Sequence, residues 1–143
     1  MKKDFIRDYA TGAFARYEHL GRPTRAEYEA KIRQEVYTRL SLKEPRIILM
    51  KADAEVSARK PILDDIEAVQ KMFDMLEENG KGYISKAVEA VYLISSDGRP
   101  SRNEIVNRVL HYANSVPIDE RSVYRWLKYA RELFAMFRGL TIE

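Results

Sequence analysis

Cysteine is missing from all 143 residues, which excludes a disulfide framework, a cysteine-ligated zinc ribbon and a thiol nucleophile. Histidine is nearly missing. His19 and His111 are the two present, and neither has the His/Glu spacing of a metalloprotease helix. No apolar run approaches the ~20 residues that a membrane span needs. Charge interrupts the opening Met1-Lys2-Lys3-Asp4-Phe5-Ile6-Arg7-Asp8, so it does not read as a signal peptide. These absences predict a soluble, cytoplasmic protein with no membrane partner, no metal and no cofactor.

Charge is plentiful but uneven. Residues 1–43 hold ten Lys/Arg against six Asp/Glu, residues 44–96 seven against ten, and residues 97–143 eight against six. Two basic ends therefore flank an acidic middle, and the whole carries +3. Such asymmetry suits a polyanionic partner without requiring one.

Five of the six glycines and the five prolines punctuate the chain at helix-length intervals. Between them apolar residues recur every three or four positions, the helical period. The rows are Phe5, Tyr9, Ala13, Tyr17 and Leu20; Tyr28, Ile32, Val36 and Leu40; Leu63, Ile66, Val69, Phe73 and Leu76; and Ile84, Ala87, Val88, Val91 and Ile94. Ile105, Val109 and Ala113 follow, and Val123, Leu127, Ala130, Phe134 and Phe137 end the series. Residues 47–50 are short enough for a strand, yet Ala52 and Val56 continue a weak helical face. An all-α, multi-helix bundle is predicted.

Thr24-Arg25-Ala26-Glu27 and Ser101-Arg102-Asn103-Glu104 both read as capping boxes, hydroxyl and carboxylate each satisfying a helix-start N–H. They lie in a longer echo, residues 21–27 against 98–104, with five of seven positions identical. The flanks do not match, so reused turn chemistry explains the echo better than duplication. Residues 1–60 read as an N-terminal helical segment in which 41–60 is a connector or a poorly packed helix. Residues 61–143 read as a C-terminal helical domain.

No catalytic constellation emerges, and an enzyme is not expected. Asp64, Asp65 and Glu67 follow Pro61 near a helix start, where carboxylates oppose the dipole. Asn79-Gly80-Lys81-Gly82 lacks Walker spacing and doubles as a helix stop.

The informative stretch is 83–138. Helices over 83–95, 101–114 and 119–138, the last two joined by a short turn, match a tri-helical helix-turn-helix unit, with the motif at about 101–138. Its core would be Ile105, Val109, Val116, Ile118, Val123 and Leu127. On the last helix Arg121, Ser122, Tyr124, Arg125 and Lys128 fall outside the apolar stripe, with Trp126 at its edge. An N-terminal half of this composition suits a recognition helix in a major groove. Arg99 and Arg102 stand at a helix start, where phosphate commonly sits. The apolar end, Leu133, Phe134, Met136, Phe137 and Leu140, would pack on the N-terminal helices or form a homodimer contact.

Asp4-Phe5-Ile6-Arg7-Asp8-Tyr9-Ala10, running to Leu20-Gly21-Arg22-Pro23-Thr24, and Ser122-Val123-Tyr124-Arg125-Trp126-Leu127-Lys128 with Ala130-Arg131 and Phe134-Ala135, resemble a family. It is that of phage late-transcription regulators of the RinA/ArpU type, whose C-terminal part is similar to the promoter-reading region of sigma factors. The resemblance covers the two ends, about half the chain. It implies a sequence-specific regulator of phage or prophage origin whose recognition helix falls on residues 121–128 and whose partner is double-stranded DNA, with RNA polymerase as a partner in the sigma-like alternative. The turn over 114–118 departs from the family pattern, since it contains Pro117 and no glycine. A helical adaptor for protein partners, or a sigma-like subunit acting through polymerase, is the alternative.

Overall fold

The computed structural model describes residues 3–94 and 99–140. Seven helices fill the described residues: α1 (Lys3–His19), α2 (Arg25–Arg39), α3 (Pro45–Ala58), α4 (Lys60–Glu78), α5 (Gly82–Val91), α6 (Arg102–Ser115) and α7 (Glu120–Arg138). No strand occurs among the described residues, so the chain is all-α, and no helix is long and apolar enough to cross a membrane.

Helix ends follow the local chemistry. Thr24 and Ser101 each accept from the backbone N–H three residues on, and Glu27 and Glu104 each accept from the cap's own N–H. Both halves of the echo are thus capping boxes. At the far ends of α4 and α7, Gly80 and Gly139 adopt left-handed φ of 71° and 80°. That turn lets Lys81 N–H donate to Leu76 O and Leu140 N–H to Ala135 O, satisfying carbonyls the helix leaves open.

Two compact units form. One is Pro23–Glu67, and the other combines Met1–Arg22 with Ala68–Glu143. This differs from a division at residue 60 because α1 packs on α7, which joins the N-terminal helix to the C-terminal ones.

In the Pro23–Glu67 unit, Tyr28, Ile32 and Val36 form the buried stripe of α2, and α3 packs on this helix. Ala52 is the buried residue of α3, small enough for close approach, and Leu49 and Met50 stay exposed. The stretch 41–60 is thus a thinly packed helix rather than an open connector. Polar ties reinforce it. Arg33 donates to Asp53 at 2.7 Å and Arg59 to the Tyr28 hydroxyl at 3.2 Å. Asp64 accepts from Arg25 at 2.7 Å and Lys60 at 2.8 Å. Those bonds, Lys60's first, hold the Asp64 carboxyl below its ordinary range. Side-chain cations, rather than the helix dipole expected from sequence, answer this carboxylate.

In the larger unit, α5, α6 and α7 pack pairwise and α1 packs on α7. Phe14 and Phe134, both fully buried, meet edge to face with centroids 5.4 Å apart. Tyr92 lies 5.4 Å from the Phe14 ring and Tyr9 lies 6.3 Å from that of Phe134. Leu133 and Phe134 pack as expected, whereas Met136 is 58 % exposed. The buried face of α1 is Ile6, Ala10, Ala13, Phe14 and Tyr17, and Phe5 is exposed. A strict i+4 row drifts by about 40° per step around a helix, so the row from Phe5 through Tyr9 starts outside the core and reaches it only at Ala13 and Tyr17, while the adjacent row through Ile6, Ala10 and Phe14 is buried throughout. Of the six core residues predicted for the last two helices, Val109, Val123 and Leu127 are fully buried. Ile105 and Ile118 are half-buried and Val116 is exposed, because Val116 lies past the end of α6. Arg22 and Arg108 donate to Leu93 O and Val91 O, so two cations close the C-terminal end of α5.

The aromatic seam between α1 and α7 should dominate stability. Phe134→Ala is expected to cost about 3–5 kcal/mol, measured by denaturant unfolding. Phe5→Ala, on an exposed site, should cost less than about 1 kcal/mol.

Candidate nucleic-acid interface

Helix α7 starts because Asp119 caps it, its carboxylate accepting from Ser122 N–H at 2.7 Å. This bond, and more weakly Arg125 and Arg121, hold the Asp119 carboxyl below its ordinary range. The buried stripe of α7 runs through Val123, Leu127, Ala130 and Phe134. On the opposite side Arg121, Arg125 and Lys128 are exposed, successive members of one helical ridge. The ridge is not wholly cationic, for Lys128 Nζ lies 3.9 Å from the Glu132 carboxylate.

Ser122 does not join that ridge. It is 8 % exposed, and its hydroxyl accepts from Arg125 at 3.0 Å. Expectation placed it among outward-facing contacts. Its position beside the buried stripe makes it a brace for the Arg125 guanidinium instead.

The remaining sequence-selected residues gather elsewhere. Arg99, Arg102 and Tyr124 line a cleft of about 510 Å³ in the larger unit. Arg7, Asp8 and Thr11 of α1 line it too, with Tyr92, Pro100, Ile105, Val106 and Arg131. Arg131 donates to the Tyr92 hydroxyl at 2.8 Å, which fixes the guanidinium against the wall. Arg7 Nε lies 3.5 Å from the Asp8 carboxylate. Arg131 follows Tyr124 by two helical turns, so a seven-residue spacing could have linked them in the sequence. Arg7 gave no such signal, since only the docking of α1 on α7 brings it here.

A second, shallower groove of about 350 Å³ borders the other flank of the ridge. Arg125 and Lys128 line it with Lys81, Tyr83, Trp126 and Tyr129. Tyr83 and Trp126 meet edge to face at 4.9 Å. Lys81 Nζ sits 4.4 Å from the Tyr129 ring centre and 3.1 Å from its hydroxyl. The Asn79–Gly82 turn thus delivers Lys81 to this groove, a placement the sequence did not disclose. Tyr83, Tyr129 and Trp126 carry both an apolar face and a polar tip, the composition common at binding surfaces.

His19 and His111 are both exposed. A small groove of about 210 Å³ beside His111 is lined by Ala90, Ile94, Asn107, Arg108 and Tyr112, with no carboxylate. No group of three or more His, Asp or Glu suited to a metal occurs among the described residues.

No family model, curated protein or solved structure matches the chain.

The Asp119 cap sets an acid limit on this surface. Its folded value is depressed, so its contribution is complete above the ordinary carboxylate value of about 4 and fades as pH falls through the lower folded value. Hydrogen exchange should report falling protection at the Ser122 amide in that acid window. Asp119→Ala should lose this protection at every pH, and Asp119→Asn should retain it. Unchanged protection in Asp119→Ala would remove the cap from the account.

Proposed function

We propose that this protein is a sequence-specific regulator of transcription that binds double-stranded DNA in the cytoplasm and is not an enzyme. In this reading α5, α6 and α7 act as a helix-turn-helix unit, and α7 enters the major groove through Arg121 and Arg125, with Lys128 at the groove edge. Arg99 and Arg102, near the start of α6, hold phosphates, and Tyr124 adds a contact from the flank of α7.

One observation carries the proposal. The exposed basic ridge of α7 lies opposite its buried stripe, in a helix that packs with α5 and α6. Arginine on such a ridge can pair bidentately with guanine, and lysine or arginine at the margins neutralises backbone charge. The resemblance to phage late-transcription regulators supports the same reading and adds a phage or prophage origin. Ser122 takes no base contact in this scheme, since its hydroxyl serves Arg125.

A second reading is favoured by the Tyr83–Trp126 groove beside the ridge. Aromatic residues are enriched at protein interfaces. A sigma-like subunit, or a helical adaptor, would dock its protein partner there, RNA polymerase in the first case. Two copies reading two half-sites would constitute the homodimeric form of the regulator.

The two classes of arginine should separate in binding assays. Arg125→Ala is expected to lose about 1–3 kcal/mol on the preferred site and little on unrelated duplex. Arg102→Ala should weaken both duplexes alike and lower the slope of log affinity against log salt by about one. Equal effects of the two substitutions on both duplexes would contradict this division of roles.

A further inference from the structure

The cleft between α1, α6 and α7 holds more positive charge than the phosphate contacts proposed for Arg99 and Arg102 use, since Arg7 and Arg131 line it as well. Four guanidinium groups, Arg7, Arg99, Arg102 and Arg131, face it with a single carboxylate, Asp8, an excess of three positive charges. The Asp8 carboxylate already has Arg7 beside it. Arg99 and Arg102 have no acidic partner among the described residues. Arg131 is held by the Tyr92 hydroxyl through Nη1 alone, so its other N–H groups stay open to a ligand. Arg99, Arg102 and Arg131 thus gather like charge without an acidic partner among the described residues, and a bound anion relieves their repulsion.

The volume narrows the choice of anion. About 510 Å³ falls in the range of small-molecule sites, far more than one inorganic ion occupies. Part of the wall is apolar or aromatic, formed by Pro100, Ile105, Val106 and Tyr124. Guanidinium pairs match the tetrahedral, doubly charged phosphoryl group better than they match a single carboxylate. We infer that this cleft is a binding site for a phosphoryl group carried on an organic body, such as a nucleoside monophosphate, either free or within a nucleic-acid strand. The inference does not rest on the insertion of α7 into a major groove.

Thermal unfolding of the full chain in adenosine monophosphate, against adenosine and against sodium chloride of equal ionic strength, tests it. The expected result is a rise in midpoint with the monophosphate alone, saturating in the millimolar range or below. Arg131→Gln and the double variant Arg99→Ala/Arg102→Ala should each weaken that response about tenfold or more. Lys86→Ala, an exposed cation outside the cleft, should keep it. Phosphorus NMR line broadening of the same nucleotide provides a second readout for any variant of reduced stability.

Competition with a short duplex then separates the sources. Displacement of the nucleotide by duplex assigns the phosphoryl group to a nucleic-acid backbone, and simultaneous binding assigns it to a free small molecule. Nucleotide binding without any duplex binding would support the cleft while refuting the DNA-binding proposal. No rise above the chloride control, or an equal rise in wild type and all variants, would overturn the cleft.

Discussion

The packing of α1 on α7 through Phe14 and Phe134 is the contact on which the rest of the larger unit depends. Both rings are fully buried, and Ala10 and Ala13 are buried on the same helix as Phe14. This seam connects the first twenty residues with the last twenty. It also builds the arginine cleft, because Arg7 and Asp8 ride on the helix that Phe14 anchors. Loss of the seam would remove one wall of the cleft while leaving the caps of α6 and α7 chemically intact.

Charge in this molecule is sorted by what surrounds it. Arg22 and Arg108 are used within the fold, donating to carbonyls at the C-terminal end of α5. Arg25 and Arg33 are used in ion pairs of the Pro23–Glu67 unit. Arg99 and Arg102 have no such duty among the described residues, while Arg125 bonds to a serine hydroxyl and, with Arg121, lies near the Asp119 carboxylate. A net charge of +3 therefore understates the positive character of the surface around α6 and α7. The arginines used within the fold carry their own counter-charges, whereas Arg99 and Arg102 do not.

Helix starts and stops were readable because they are local: a hydroxyl and a carboxylate three residues apart at Thr24 and Ser101, and glycine at residues 80 and 139. The ridge of α7 was readable for the same reason, since a 3.6-residue period sets Arg121, Arg125 and Lys128 on one side. Ser122 was misread because a helical wheel does not reveal how far a neighbouring element extends over its flank. The α1 face is legible only in part, because a row begun at Phe5 finds Ala13 and Tyr17 but passes beside Ile6, Ala10 and Phe14. Arg7 and Lys81 were out of reach, because each enters its groove through tertiary packing with no spacing to mark it. The division of the chain was likewise hidden, since an aromatic seam between residues 14 and 134 leaves no trace in local composition.

The central claim is that the basic ridge of α7 reads a DNA sequence, and selection from a random duplex library tests it most directly. The full chain would be challenged at about 0.15 M salt, where backbone attraction alone is weakened, and the bound pool sequenced. The account predicts enrichment of one motif, with a palindromic form if two copies bind together. A bound pool indistinguishable from the input library would contradict it.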